Sequence, residues 1–321
     1  MLTLSKLSKT AFHSEPTAFE YLEATLWPFG AVCPHCGTIG HATKLQTGPA
    51  KEGKRSARMG LWKCNEKECR KQFTVKVGTV FEHGRIPLNK MLQAVYLLCC
   101  SKKGCSSHQL HRILGITYKA AWFLSHRIRE AMRDGSLAPI GGSGKVVEAD
   151  ETFIGRKKGF PKRPGVGHKM VVVSLVERGG SIRSTVIDSI SRPDVENIVK
   201  QNVLRESGLM TDEAAYYKWA GKTFASHDSV DHSSGEYVRT EYPITGEPAK
   251  SIHTNTLEGY YSIFKRGMKG VYQHCGEKHL HRYVAEFDFR YNNRSALGIE
   301  DAARATKALR GISGKRLTYR A

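Results

Sequence analysis

Two kinds of side chain in this sequence could do chemistry, thiols and carboxylates, and both come in patterns. Cys33 and Cys36 stand in "CPHC", Cys64 and Cys69 in "WKCNEKEC". Two tight cysteine pairs on two turns supply the four ligands that zinc takes in a tetrahedron. Four protein ligands leave no position for a substrate, so such a site is structural or DNA-contacting. The 27 residues between the pairs exceed what a minimal ribbon needs, and the basic insertion "TGPAKEGKRSARMG" (47–60) accounts for them as a solvated loop. His35 is expected to be an exposed residue between two ligands. Cys99, Cys100 and Cys105 lie in an apolar helical context and read as small buried hydrophobes.

The carboxylates need a longer argument. "GKVVEADETFIG" (144–155) reads as a strand with acids planted in it, and charge inside a strand is costly unless exposed or functional. Alternation puts Glu148, Asp150 and Thr152 on one face and Val147, Ala149, Glu151 and Phe153 on the other. "GLMTDEAAYY" (208–217) gives a short strand ending in Asp212. In "HTNTLEGYYSIFKR" (253–266), Leu257, Tyr260, Tyr261 and Phe264, continued by Met268, form an apolar helical stripe. Asn255, Glu258, Ser262 and Lys265 form another face. Glu258 and Lys265 thus lie two turns apart on one side, where an acid could reach a metal and a lysine a phosphate. By spacing alone a solvated helix face is the simpler reading.

These acids must be positioned by the elements around them. After the strand at 144–155 come "KMVVVSLVERGG" and "SIRSTVIDSI" (169–190), two strands joined by a tight turn. A helix "SRPDVENIVKQNV" follows, with Ser191 as cap and Pro193 in its first turn. Three antiparallel strands, a helix, a further strand and a terminal helix match the element order of the RNase H-like fold. That fold gathers carboxylates from its first strand, a later strand end and a helix, where they can hold divalent cations for phosphodiester chemistry. Upstream, "CSSHQLHRILGITYKAAWFLSHRIREAM" (105–132) has the shape of a helix-turn-helix. Thr117 caps its second helix, and Lys119, His126, Arg127 and Arg129 are candidates to face DNA. "HRYVAEFDFRYNNR" (281–294) is an amphipathic helix whose Arg290 and Arg294 are expected to pack.

The chain of 321 residues has 50 Lys and Arg against 30 Asp and Glu, a formal charge of +20, which points to a polyanionic partner. No apolar run approaches the ~18 residues of a membrane span, and the N-terminus lacks a secretory core. A cytoplasmic, nucleoid-associated location is therefore expected, with reduced cysteines. "GVGHKM" lacks the third glycine of a dinucleotide fingerprint, and no GKT or GKS phosphate loop occurs. The fold class is multidomain α+β: a zinc ribbon over 1–80, a helix-turn-helix-like segment over 81–135, and an RNase H-like α/β domain over 145–300. "GSLAPIGGSG" (135–144) reads as a linker. A basic tail over 301–321 is expected at the surface or on DNA.

The sequence resembles the zinc-ribbon group of bacterial DDE-type insertion-sequence transposases. The resemblance covers nearly the whole chain, through "CPHC…WKCNEKEC", "QFTVKVGTVFEHGRIPLNKMLQAVYLL", "KAAWFLSHRIREAM", "VEADETFIGRK", "TDEAAYY", "HTNTLEGYYSIFKRGMKGVYQH" and "KHLHRYVAEFDFRYNNR". It implies Asp150 and Asp212 as the first two catalytic, metal-binding acids. The third is Glu258, seven residues before Lys265, with Asn255 as its rival or helper. Glu148, Glu151 and Glu213 stand beside these acids as alternatives. It further implies structural Zn²⁺ on the four cysteines, catalytic Mg²⁺ or Mn²⁺, and double-stranded DNA, both terminal inverted repeats and target, as partner. A homodimer or larger synaptic complex would do the work. Lys119, Arg127, Lys157, Lys158, Lys162, Arg163, Lys265 and Arg266 are candidate DNA contacts, four of them in the basic loop "GRKKGFPKRPGVGHK" (155–169). The implied activity is end cleavage and strand transfer; a nuclease without strand transfer, or an inert DNA-binding regulator, is the alternative.

Overall fold

The computed structural model describes residues 8–46, 58–135, 138–242 and 249–317. Most of the 47–60 insertion, part of the expected linker and Arg320 of the expected tail lie outside the described residues. The chain divides into two units, Met1–Arg133 with Ser295–Ala321, and Asp134–Arg294. Ribbon and helical segment, given separate ranges by the sequence, thus belong to one unit.

The first unit opens with helix α1 (Glu15–Leu26), which the sequence reading did not anticipate. Strands β1 (Ala42–Lys44), β2 (Trp62–Cys64) and β3 (Gln72–Phe73) then form a small antiparallel sheet. Helices α2 (Leu88–Cys100), α3 (Ser107–Leu114) and α4 (Tyr118–Met132) follow. The turn between α3 and α4 is built as its residues dictate. Gly115 takes a left-handed φ of 57°, and the Thr117 side chain accepts from the Ala120 amide at 3.2 Å. Pro87, preceding α2, has no side chain that can cap. Glu15 of α1 does this instead, accepting from the Leu88 and Asn89 amides at 2.7 and 3.0 Å.

Helix α4 corrects one expectation. His126, Arg127 and Arg129 are buried. Arg127 donates to the Glu82 carbonyl at 2.9 Å, and Arg129 donates to Ser125 at 3.0 Å. Arg127 is therefore not available to DNA. Helix α4 packs against α2 and α3 and against a later helix, so a face that periodicity marks as polar lies inside. Lys119, at the start of α4, is exposed.

The second unit is built on a five-stranded sheet of order β6-β5-β4-β7-β8. Its elements in chain order are β4 (Val146–Ile154), β5 (Met170–Glu177), β6 (Ile182–Ile187), α5 (Arg192–Asn202), β7 (Gly208–Thr211), α6 (Ala215–Gly221) and β8 (Ser226–Ser229). A two-stranded ribbon, β9 (Arg239–Glu241) with β10 (Lys250–Ile252), leads into α7 (Asn255–Gly267), and α8 (Leu280–Asn292) closes the unit. Strands β4, β5 and β6 run antiparallel, whereas β7 and β8 run parallel to β4. One sheet face packs α5 and α6 over Val147, Ala149, Leu175 and Leu209. The other packs α7 and α8 over Ile154, Met170, Val172 and Val176. The stripe Leu257, Tyr260, Tyr261, Phe264 and Met268 is buried as spaced, and burying Leu257 and Phe264 contributes ~1.5–3 kcal/mol each. The expected linker is partly structural, since Ile140 joins the core over α5 and the Gly142 amide donates to Ser207 at 2.8 Å.

The chain then returns to the first unit as α9 (Asp301–Arg310). This corrects the expected tail over that stretch. Arg304 is buried and donates to the Cys99 carbonyl at 3.1 Å, because α9 is amphipathic and packs on α1, α2 and α4.

Glu148 fixes α7 to β4. Its carboxylate is fully buried and accepts from Arg178 Nε at 2.7 Å, Thr256 Oγ1 at 2.8 Å and the Leu257 amide at 3.1 Å. Thr254, at the N-cap of α7, makes no side-chain cap, so Glu148 performs that function from another element. Glu148→Ala leaves Arg178 without its charge partner and the helix start uncapped. It should destabilise the protein by about 3–5 kcal/mol, read as a lower urea midpoint; a loss under about 1 kcal/mol would show the brace to be dispensable.

Candidate functional site

The four thiols meet as two interlocked pairs. Cys33 Sγ lies 3.7 Å from Cys69 Sγ, and Cys36 Sγ lies 3.6 Å from Cys64 Sγ. A zinc–sulfur bond of about 2.3 Å gives a tetrahedral edge of ~3.8 Å, so the set fits zinc without rearrangement. The two turns are alike despite their different spacing. The Gly37 amide donates to the Cys33 carbonyl at 2.9 Å, and the Arg70 amide to that of Glu66 at 3.1 Å. Gly37 and Arg70 both take positive φ, 79° and 50°. The ribbon's apolar support is small: Trp27, Trp62 and Phe73 packed around the cysteines.

In the second unit, Asp150, Glu151 and Asp212 each offer a carboxylate oxygen, all within 4.8 Å of one another. The topology explains this. Strand β7 runs parallel to β4 with Glu148 opposite Met210, so Asp212, just past the end of β7, comes beside Asp150. Asp150 is held by the Glu151 amide, which donates to its carboxylate at 2.7 Å. Tyr261 of α7 donates to its carbonyl at 2.7 Å. The Asp212 carboxylate accepts from the Ala214 amide at 3.1 Å. Glu151 leaves β4 toward α6, where Tyr216 donates to one oxygen and Tyr217 to the other, the latter at 3.0 Å.

Burial pushes the Asp150 carboxyl well above its ordinary range, and the neighbouring Glu151 and Asp212 charges push it further. Glu151 is raised by burial and by Asp212, against the tyrosine hydrogen bonds that favour its charge. Asp212 is raised by burial first, and His232 offsets part of that. Among the described residues no arginine or lysine pairs with any of the three. A group of hard oxygen donors that disfavour one another's charge, without a cation of the protein's own, fits a divalent ion.

Glu258 stands outside this group. Its carboxylate lies 3.7 Å from His232 Nε2, close enough to Asp150 to add to the shift there. Asn255 is exposed at the first turn of α7. Glu148 is occupied in bracing α7, and Glu213 accepts from the His232 amide at 3.0 Å, so neither competes for the acid group. Lys265 is half-buried with its ammonium 5.9 Å from the Tyr261 ring, and Arg266 is exposed. In the basic loop Lys158, Lys162 and Arg163 are exposed, while Lys157 donates to the Asp188 carbonyl. Sequence reasoning missed Tyr216, Tyr217 and His232. The signal for the tyrosines was there, an adjacent pair beginning four residues beyond an acid at a strand end.

Two family models match the chain. One, described as an ISXO2-like transposase domain, matches residues 141–292. The other, a transposase zinc-ribbon domain, matches residues 13–72. The chain is 25% identical over 296 residues to an uncharacterized protein in transposable element ISH50 of Halobacterium salinarum, covering 87% of this chain and 91% of that protein. A chain of the simian T-cell lymphotropic virus intasome, solved with the PP2A regulatory subunit B56 gamma, is 16% identical over 39% of this chain and 48% of that one. Its TM-score of 0.21 carries no argument. No helix among the described residues is long and apolar enough to cross a membrane.

Two outcomes test these centres. A strong zinc chelator should red-shift and quench tryptophan emission, because Trp27 and Trp62 pack on the cysteine cluster; added zinc should restore it. Unchanged emission would mean that the ribbon core stands without metal. In the acid group all three carboxyls are raised, so each favours the folded state below its ordinary pKa, and that contribution is lost as pH rises through the raised value. Asp150→Asn should therefore melt above the parent at pH 8 without divalent metal, lose that advantage near pH ~4, and fall below the parent in saturating Mg²⁺. Equal melting at pH 8 would contradict the repulsion.

Proposed function

Because the chain belongs to the zinc-ribbon group of insertion-sequence transposases, we propose that it binds the ends of a mobile element and cuts and joins DNA strands. The observation that carries this is the convergence of Asp150, from the central strand, and Asp212, from the end of its parallel neighbour, within 4.8 Å. The strand order β6-β5-β4-β7-β8, three antiparallel strands followed by two parallel ones, supports an RNase H-like assignment for this domain. Zn²⁺ on Cys33, Cys36, Cys64 and Cys69 is the structural metal of this reading. Asp150 and Asp212 would hold Mg²⁺ or Mn²⁺, with Glu258 as the third acid and Asn255 beside it on α7.

A divalent ion bound there supplies charge stabilisation to the attacking and departing oxygens of a phosphodiester exchange. The residues do the rest. The Ala214 and Glu151 amides orient the two aspartates. Lys265 and Arg266, two turns along α7 from Glu258, neutralise phosphates. Lys158, Lys162 and Arg163 extend that grip from the exposed β4–β5 loop. Water attacks at the element end and the freed 3′-hydroxyl then attacks target DNA, each in line and without a covalent protein–DNA bond. Lys119 and the ribbon would contact the terminal repeats, and pairing two ends requires at least a homodimer.

The test is a joining assay with purified protein, Mg²⁺, element-end DNA and a target plasmid. Joined products are expected, and Asp150→Ala or Asp212→Ala should lower them at least ~10³-fold, several kcal/mol of barrier, with end binding retained. Cleavage without joining would mean a nuclease, and binding alone an inert regulator. Glu258→Gln compared with Asn255→Ala decides which residue of α7 the reaction needs.

A further inference from the structure

We propose that Glu151 is a direct ligand of the divalent metal at this centre, and that Tyr216 and Tyr217 are the positioning residues that aim it. The inference rests on the reading of Asp150 and Asp212 as metal-binding acids and adds a carboxylate from the opposite face of the same strand. Four observations carry it.

Glu151, not Glu258, shares the 4.8 Å group with Asp150 and Asp212. Glu258 instead lies beside His232 with its side chain 42% exposed. Second, the aim of Glu151 is fixed. Tyr217 is fully buried over Ala149 and Leu209, so the height of its hydroxyl above the sheet is set by core packing. Tyr216 precedes it on the same helix and meets the other oxygen. Third, two phenols use two of a carboxylate's roughly four lone-pair sites, leaving one on each oxygen for a cation. Ligating carboxylates are themselves hydrogen-bonded in this way.

The fourth observation is a contrast with the two fully buried glutamates of this unit. Glu148 has Arg178 and Glu286 has Arg290. Glu151 has no ion pair among the described residues, although two further acids lie against it. A purely structural acceptor for two tyrosines would need no charge, and a glutamine would serve. A third negative charge here is favourable only when a cation joins it.

The full-length protein can be tested without DNA by tyrosine-sensitised Tb³⁺ luminescence, with Mg²⁺ displacing Tb³⁺ to report affinity. Tyr216 and Tyr217, bonded to a ligand, make the donors adjacent. Glu151→Gln is expected to weaken Mg²⁺ binding at least ~10-fold, more than Glu258→Gln does, and Tyr216→Phe and Tyr217→Phe by a smaller factor. The metal-free melting temperature of each variant separates metal binding from folding. Should Glu151→Gln not fold, Glu151→Asp retains the charge but withdraws it by one methylene, and the same loss is expected. Parental Mg²⁺ affinity in a folded Glu151 variant, or a larger loss in Glu258→Gln, overturns the proposal. Asp150→Asn guards the premise. If it abolishes binding while the Glu151 variants do not, only the proposal fails; if it too binds normally, the metal centre itself is misread.

Discussion

The buried carboxylate of Glu148 ties the start of α7 to the first half of β4, and the geometry of the acid edge follows from that attachment. Asp150 is two residues further along the strand, ~7 Å at strand rise. Glu258 follows Leu257, whose amide Glu148 accepts. Arg178, the charge partner of Glu148, also donates to the Ser251 and His253 carbonyls at 2.7 and 2.8 Å, so the segment entering α7 is held as well. A buried pair of this kind gains little over an apolar one of the same shape. Its value here is positional, because it fixes strand, turn and helix to one another through directional bonds. The same device recurs in the first unit, where Glu15 caps α2 behind a proline that cannot.

The acid group works against the fold that carries it. Asp150, Glu151 and Asp212 are partly desolvated and mutually repulsive, and the sheet tolerates them because the packing beneath is dense. Val147, Ala149 and Leu209 are buried on one face and Ile154, Val172 and Tyr261 on the other. Side chains held so closely cannot relax away from one another, so the repulsion is built into the fold. That is the usual relation between a rigid scaffold and a preorganised site.

Much of this was legible in sequence where local chemistry decides. Caps at Thr117 and Ser191, the buried stripe of α7 and the strands around Asp150 are fixed by neighbours a few residues away. That Asp212 and Asp150 meet was legible through element order, and the register that pairs Glu148 with Met210 puts the end of β7 beside Asp150. Glu151 was legible only as an alternative, because alternation assigns it to the face away from Asp150, and the tyrosines that hold it at the strand edge belong to a helix the sequence reading did not recognise. Arg127 and Arg304 misled for the converse reason. Helical periodicity marks a polar face, but it cannot tell solvent from the far wall of a packed bundle, where carbonyls such as that of Glu82 take up the charge.

The two candidate metal-binding groups differ in donor chemistry and in geometry. The four sulfurs stand close to the edge length of a complete tetrahedron, so a zinc ion there would have no vacant position, and its binding energy would go into folding a ribbon with few apolar side chains. The carboxylates gather on one side only, from β4 and the end of β7. A hard ion held from one side keeps coordination positions for water and phosphate oxygens. A cluster of the first kind is closed to substrate, whereas one of the second kind, if it holds an ion, could admit a phosphate oxygen.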